Sequence, residues 1–231
     1  AESRGLGDVY KRQEYDYIIV GAGSAGCVLA NRLSKNPQNR VLLLEAGRED
    51  KSITLKMPGA VLLNLKSTKH NWAFKGEPEP ELAGRQLQHD RGKTLGGSSS
   101  INGMVFIRGN SLDYEGWRQM GCDGWGYADV LPYFKKMESY SGGGDDFRGD
   151  TGPLRVHRSV PKDPLSIAFI KAGKEAGYKE TDDISGYCQE GFGIFDRTVF
   201  KGEICSTTSG YVDPVRAREN LTIITKALVC K

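Results

Sequence analysis

The chain has 231 residues, of which 38% are hydrophobic and 26% charged, and its formal net charge is +3. These values fit a folded globular protein, exclude a disordered polyampholyte and give no electrostatic footprint for a nucleic-acid partner. No apolar run approaches the roughly 20 residues that a transmembrane helix needs. Glycine is the outlier, with 30 residues, and this excess predicts loops in which the backbone closely approaches another group.

Residues 1–13 differ in character from the rest of the chain. Ser3 to Gln13 read SRGLGDVYKRQ, which is the in-frame translation of a common transposase sequencing adaptor. We interpret residues 1–13 as an adaptor remnant, expect them to be disordered and exclude them from fold reasoning. The alternative is a natural flexible arm.

The following segment predicts a strand, a glycine turn, a helix and a second strand. Residues 15–20 are β-branched and aromatic, and they are apolar enough for a strand buried on both faces. The sequence GAGSAG at residues 21–26 leads into residues 27–33, whose apolar spacing is that of a helix packed on a sheet. Residues 40–45 are a second apolar strand. This order is that of a βαβ unit.

Beyond this unit, residues 47–90 read as irregular and polar. Residues 129–139 predict a short helix and residues 154–157 a strand. Residues 164–178 predict a further helix that begins at a proline, and residues 221–225 predict a late strand.

The glycine turn carries the pattern Gly21-x-Gly23-x-x-Gly26 between a strand and a helix. In such a dinucleotide-binding fingerprint, Gly21 permits the tight turn, Gly23 lets the backbone reach a diphosphate, and Gly26 lets helix and strand pack closely. The backbone N–H groups of Ser24 and Ala25, at the positive end of the helix dipole, are the predicted phosphate donors.

An acidic residue closes the second strand. Glu45 follows Gly26 by about 20 residues, the spacing at which a carboxylate accepts hydrogen bonds from ribose hydroxyls. A carboxylate there disfavours a 2′-phosphate, so NADP is not expected. The fingerprint by itself leaves NAD and FAD open.

A second glycine cluster separates these two cofactors. The sequence GKTLGGSSSINGMVFIRG at residues 92–109 resembles the first signature of the glucose–methanol–choline (GMC) oxidoreductases, and the resemblance covers nearly all of residues 15–229. Within that family the chain is most similar to the bacterial choline dehydrogenase branch. The similar segments are NWAF at 71–74, EPEP at 77–80, TDD at 181–183, QEGFG at 189–193 and DRTV at 196–199.

The resemblance implies FAD as the cofactor. It implies that the backbone of residues 95–99 covers the flavin and pyrophosphate, that residues 102–105 line the isoalloxazine, that Trp72 lies near the flavin edge, and that the backbone of Val229 meets the adenine. Ile101 stands where some members carry a flavin-linked histidine, so non-covalent FAD is expected. With the fingerprint, the predicted cofactor-binding residues are Gly21, Gly23, Ser24, Ala25, Gly26, Glu45, Ala46, Trp72, Leu95, Gly97, Ser99, Asn102, Gly103, Met104, Val105 and Val229.

The resemblance also implies the reaction of the full-length parent, which is oxidation of a primary alcohol to the aldehyde by hydride transfer to flavin N5. Choline is the first predicted substrate, another aliphatic or aromatic alcohol remains open, and the electron acceptor is either a quinone or oxygen. Members of this family carry a catalytic histidine and a His or Asn partner near the C-terminus of longer chains, so we predict no catalytic residue here and no metal site. His70, His89 and His157 are interpreted as surface histidines.

The predicted fold class is α/β, with a Rossmann-like FAD-binding domain on a parallel sheet and the start of an α+β substrate-binding domain on an antiparallel sheet. We assign residues 14–153 to the first domain, 154–203 to the second, and 204–231 to a truncated return to the first. The chain is thus expected to be the front part of a longer enzyme.

Two alternatives stay open: an NAD-dependent dehydrogenase, and a catalytically inactive nucleotide-binding fragment. Five cysteines without a C-x-x-C pair fit a reducing compartment. A cytoplasmic location without a transmembrane segment is expected, with peripheral association at the inner membrane left open.

Overall fold

The computed structural model describes residues 14–230. The predicted disordered adaptor remnant at 1–13 lies outside the described residues. The strands are β1 (Tyr17–Val20), β2 (Val41–Glu45), β3 (Phe74–Lys75), β4 (Gln88–His89), β5 (Val105–Phe106), β6 (Glu138–Tyr140), β7 (Leu154–Val156), β8 (Asp196–Arg197), β9 (Val199–Phe200), β10 (Glu203–Ile204) and β11 (Leu221–Thr225). The α-helices are α1 (Ser24–Leu33), α2 (Ile53–Lys56), α3 (Val61–Leu65), α4 (Ser111–Gln119), α5 (Tyr127–Met137) and α6 (Pro164–Glu175). Shorter turns are 3₁₀-helical at Pro58–Ala60, Pro80–Leu82, Gly97–Ser100 and Asp213–Val215, and π-helical at Thr208–Val212.

A parallel sheet of β1, β2 and β11 organises the first part of the chain, with β2 in the middle. Val41 and Leu43 of β2 are fully buried, as a central strand requires. This sheet and α1 confirm the predicted α/β class and the βαβ unit. Residues 221–225 form the predicted late strand, although they pair with β2 across 175 residues of intervening sequence, which no local pattern reveals.

The expectation that β1 is buried on both faces is wrong. Ile18 and Val20 are 60% and 64% exposed, because β1 is the edge strand of this sheet in the described part of the chain. Ile19 alone in β1 points into the core.

The main core lies between this sheet, α1 and the segment before β11. Cys27 and Ala30 of α1 are fully buried and belong to one cluster with Leu43 of β2 and Val212. The side chain of Asn31 donates to the backbone oxygen of Tyr211 at 2.6 Å. The chain therefore returns at residues 208–225 to complete the unit that residues 17–45 begin.

A second region is built from short ladders. β5 pairs with β8 and β9 with β10 in antiparallel fashion, whereas β6 and β7 are parallel. The β6–β7 ladder joins residues on both sides of the predicted domain boundary at 153/154. The predicted helix at 129–139 is α5, which ends at Met137 because the following three residues enter β6.

Buried charges hold this second region together. The side chain of Arg148 is fully buried, and its Nε lies 3.0 Å from Oε1 of Glu138, while its Nη1 lies 2.9 Å from Oδ2 of Asp196 and 2.6 Å from Oδ1 of Asp183. Arg108 also contacts Glu138. These ion pairs connect β6, β8 and three loops, and they add to a small apolar cluster of Phe106, Leu154, Val156 and Cys205.

Between residues 14 and 230, no helix combines the length and the apolar character needed to cross a membrane. Over the same span, no three His, Cys, Asp or Glu side chains are grouped as metal ligands.

Candidate functional site

The carboxyl ends of β1, β2 and β11 meet at one edge of the sheet, as they must in parallel strands. The segment after β11 is tied to this edge, since Lys226 N donates to Gly47 O at 2.7 Å and Ala227 N to Glu45 O at 2.9 Å. A cavity of about 420 Å³ lies here. Its lining residues are Val20, Gly21, Gly23, Ser24, Leu44, Glu45, Ala46, Trp72, Phe74, Arg91, Gly92, Gly97, Ser98, Ala227, Leu228 and Val229.

The cavity brings together part of the predicted site. The predicted residues that line it are Gly21, Gly23, Ser24, Glu45, Ala46, Trp72, Gly97 and Val229. The predicted residues that do not line it are Ala25, Gly26, Leu95, Ser99, Asn102, Gly103, Met104 and Val105.

The glycine turn between β1 and α1 forms the floor of the cavity. Gly21 has a φ of +93°, which supports the tight turn expected there. A Cβ on Gly26 would lie 2.0 Å from the backbone oxygen of Gly21, so this position serves close packing. By contrast, a Cβ on Gly23 would meet no atom within 4 Å. The space above Gly23 is therefore open to a ligand.

The N-terminus of α1 opens onto this space. α1 starts at Ser24, its N-cap Gly23 makes no side-chain hydrogen bond, and its first turn has no acidic residue. Backbone N–H groups at such an end carry partial positive charge and bind anions. This arrangement suits a phosphate group.

Glu45 is held by the backbone of the two loops around it. Its side chain is 6% exposed, with Oε2 accepting from Ala22 N at 2.8 Å and Oε1 from Gly47 N at 2.7 Å. Each carboxylate oxygen has two lone-pair sites, so each keeps one for a further donor. Glu45 is thus pre-positioned as a hydrogen-bond acceptor at the cavity wall.

The second glycine cluster packs directly on the first. Gly96 N donates to Ala22 O at 2.8 Å, and a Cβ on Gly97 (φ +53°) would lie 2.7 Å from the Cα of Gly23. Leu95 is fully buried in the core rather than in the cavity. Ser99 binds inward, since its hydroxyl donates to the backbone oxygen of Gly96 at 2.6 Å. Only glycine backbone allows the two loops to touch in this way.

Residues 102–105 form a separate, clamped turn. Met104 is buried with a φ of +62°, and its N–H donates to Oδ1 of Asn102 at 2.9 Å. Its backbone oxygen accepts from Thr198 N at 2.9 Å. Asn102, Gly103 and Val105 are exposed. The turn presents its backbone to solvent beside the cavity loop, with its conformation fixed from the inside.

Phe74 and Arg91 are among the cavity residues that the sequence reasoning did not predict. The ring of Phe74 stacks on Trp72, with centroids 5.6 Å apart and planes 8° apart, and Arg91 lines the cavity next to the second glycine cluster. The Nζ of Lys93 lies 4.2 Å from the centre of the Trp72 ring. The spacing of two aromatic residues in the sequence Trp-Ala-Phe is the signal that would have found Phe74.

The three histidines are not among the cavity residues. His89 and His157 are exposed. The pKa of His70 is lowered, first by partial burial and then by the positive charges of Arg48 and Lys69.

Known proteins resemble this chain in sequence over most of its length. The sequence matches the GMC oxidoreductase family over residues 15–231. It is 48% identical over 209 residues to oxygen-dependent choline dehydrogenase of Sinorhizobium fredii, covering 90% of this chain and 38% of that protein. The same enzyme of Vibrio vulnificus is 50% identical over 220 residues, covering 94% and 39%. The chain therefore spans about two fifths of the length of these curated relatives.

Solved structures show the same fold. Pyridoxine 4-oxidase from Mesorbium loti superposes with a TM-score of 0.85 and 34% sequence identity, covering 92% of this chain and 42% of that one. An FAD-dependent oxidoreductase from Chaetomium thermophilum gives 0.83 and 28%, covering 91% and 38%. Because the family match runs through nearly the whole chain, from the first strand to the last residue, this protein belongs to the GMC oxidoreductase family.

Proposed function

We propose that this chain binds FAD in the cavity at the carboxyl ends of β1, β2 and β11. The observation that carries the proposal is the convergence there of the open N-terminus of α1, the amide-held carboxylate of Glu45 and the second glycine loop at Gly97. Membership of the family and the FAD-dependent neighbour support the choice of FAD over NAD.

The residues present fit such a cofactor. The open space above Gly23 and the first turn of α1 accommodate a diphosphate. The remaining lone pairs of Glu45 can accept hydrogen bonds from ribose hydroxyls. The positive charge of Arg91, which lines the cavity, attracts the phosphates. The stacked rings of Trp72 and Phe74 form an aromatic wall on one side of the cavity. The turn at residues 102–105 is proposed to lie against the flavin ring.

For the whole protein, we propose oxidation of a primary alcohol to the aldehyde, with choline as the first candidate substrate. FAD supplies the two-electron acceptor for the hydride when it is bound. The residues of this chain bind and orient that cofactor, and they present backbone N–H groups at its site. The curated relatives are named oxygen-dependent, which favours oxygen over a quinone as the electron acceptor.

Non-covalent attachment is proposed because Ile101, at the position where some members carry a histidine, is a buried aliphatic side chain that offers no nucleophile. Denaturation of flavin-loaded protein followed by filtration tests this. Flavin in the filtrate is expected, whereas flavin retained on the denatured chain would contradict it.

The binding proposal is tested by titrating the 231-residue chain with FAD, NADH and NADPH in parallel and following flavin or dihydronicotinamide fluorescence. We expect saturable binding of FAD, with competition by ADP. Binding of NADH in preference to FAD would replace the proposal with a nicotinamide-dependent enzyme, and binding of none of the three would leave a chain without this function. In the whole protein, choline is expected to bleach the flavin absorbance and consume oxygen.

A further inference from the structure

One buried amide side chain connects the two stretches that build the aromatic side of the cavity. Asn71 is 2% exposed. Its Nδ2 donates to Leu65 O at 2.7 Å and to Oδ1 of Asp90 at 2.6 Å, while its Oδ1 accepts from Ala73 N and Arg91 N, both at 3.0 Å. A primary amide has two donors and two acceptor lone pairs. The hydrogen-bonding capacity of Asn71 is therefore completely used.

These four bonds fix the backbone on both sides of the Trp72 ring. Trp72 N also donates to Arg91 O at 2.9 Å, which pairs the two stretches directly. Ala73 has a φ of +48°, a left-handed conformation that a residue with a Cβ adopts only when its surroundings impose it. The bond from Ala73 N to Asn71 restrains the backbone that enters this residue. The stacked rings of Trp72 and Phe74 lie on the two sides of Ala73 in the sequence.

We propose that Asn71 is a positioning residue of the cofactor site, which holds the Trp72–Phe74 wall at the place where the cofactor binds. The inference rests on the proposed FAD site and adds to it a residue that lines no part of the cavity. The pKa of Asp90 is lowered, first by the hydrogen bond from Asn71 and then by that from Gln88. The Asn71–Asp90 contact is accordingly charge-assisted at neutral pH.

The test uses the 231-residue chain with Trp117→Phe and Trp125→Phe, so that Trp72 is the single tryptophan. The variant is Asn71→Ala. The matched control is Asn64→Ala, because Asn64 is equally buried at 1% exposed and its Nδ2 donates to Thr54 O at 2.7 Å, away from the wall. Each protein is measured for melting temperature, for Trp72 emission and acrylamide quenching without cofactor, and for FAD affinity.

We expect both variants to lose thermal stability, and only Asn71→Ala to change the Trp72 signal. Its FAD affinity is expected to fall about tenfold, on the scale of one lost buried hydrogen-bond group, against about twofold or less for the control. Equal losses of affinity in the two variants, or an unchanged Trp72 signal, would overturn the inference. If the unsubstituted chain binds no FAD, the proposed function fails, and the Trp72 signal alone still decides whether Asn71 holds the wall.

An exchange of the amide and the carboxylate between positions 71 and 90 covers the case in which Asn71→Ala does not fold. Asn71→Asp alone places two carboxylates against each other at the Asn71–Asp90 contact and is expected to weaken FAD binding. Combining it with Asp90→Asn returns one donor and one acceptor to that contact. Partial recovery of affinity and of the Trp72 signal supports the positioning role, and no recovery in the folded double variant contradicts it.

Discussion

The parallel-sheet region and the region of short ladders each bury a glutamate at one end of a strand, but the groups that hydrogen-bond to the two carboxylates differ. Glu45 of the parallel sheet is held by two backbone N–H groups, whereas Glu138 of the second region contacts Arg108 and Arg148 and accepts from Gly149 N at 2.9 Å. Backbone amides leave Glu45 its negative charge and free lone pairs beside an open cavity. Two arginines balance the charge of Glu138 and, with Gly149 N, surround its oxygens in the fully buried interior.

The same contrast separates the carboxylates that flank these two sites. Asp50, in the first region, has a raised pKa, first because of burial and then because of the negative charge of Asp213. Asp145, in the second region, has a lowered pKa, because the N–H groups of Arg148 and Phe147 outweigh its desolvation. The charged form of Asp50 is thus disfavoured by its surroundings, whereas that of Asp145 is favoured.

The largest effect is expected from breaking the arginine-held cluster. Arg148→Met leaves Glu138 and Asp196 buried without their cation, which typically costs about 3–5 kcal/mol. Urea unfolding of the 231-residue chain measures the loss. Arg118→Met is the control, since it breaks only the exposed Arg118–Glu115 pair and should cost less than about 1 kcal/mol. Equal losses of unfolding free energy in the two variants would show that the buried Arg148 ion pairs stabilise the fold no more than the exposed Arg118–Glu115 pair.

Substitutions at two glycines of the turn, Gly23 and Gly26, should distinguish an effect on packing from an effect on FAD binding. Gly26→Ala drives a Cβ into the Gly21 carbonyl and is expected to destabilise the fold by about 3 kcal/mol, at the upper end for overpacking. Gly23→Ala meets no atom, so its melting temperature should stay within a few degrees while its FAD affinity falls. Thermal melts and FAD titration on both variants check this. A Gly23→Ala chain that binds FAD normally would place the diphosphate elsewhere.

Glu45→Gln tests the amide-held carboxylate. Whichever way the new amide is oriented, its NH₂ group faces one of the two backbone donors, Ala22 N or Gly47 N, which should cost about 1–2 kcal/mol. FAD affinity should fall as well, because an acceptor for the ribose is lost. Glu49→Gln, which removes a part-exposed pair with Arg216, serves as the control and should leave FAD affinity unchanged.

The smallest effect concerns pH and has opposite signs in the two regions. The raised pKa of Asp50 means that its stabilising contribution is present below the unfolded pKa and is lost as the pH rises through the folded value. Asp50→Asn should therefore be more stable than the unsubstituted chain at pH 7, with the difference vanishing below about pH 4.

For Asp145 the sign reverses. A lowered pKa contributes stability above the unfolded pKa that is lost as the pH falls, so Asp145→Asn should be less stable at pH 7 and equal at low pH. Unfolding measured from pH 3 to 8 follows both variants. Shifts of the same sign in the two variants would remove the contrast between the regions.

Local pattern was enough to predict the elements that depend on neighbouring residues. The strand, glycine turn, helix and strand at residues 17–45 were predicted in order, since each is decided by periodicity and turn chemistry within a few residues. Edge exposure of β1 was not predicted, because the apolar pattern of Ile18 and Val20 is the same whether or not a neighbour covers it. The short ladders β6–β7 and β5–β8 were also beyond local reasoning, since their partners lie far apart in sequence.

By itself, the sequence determined the family, the βαβ unit and the glycine and acidic residues that a dinucleotide requires, because these depend on residue type at fixed spacing. Tertiary structure alone decided that the segments around Trp72, Gly97 and Val229 share one cavity with Gly21 and Glu45. It also decided that Asn71 accepts from the backbone N–H groups of Ala73 and Arg91 and that Arg148 contacts three carboxylates. The physical reason is that contacts between distant segments depend on how sheets and loops pack, which no short window of sequence records.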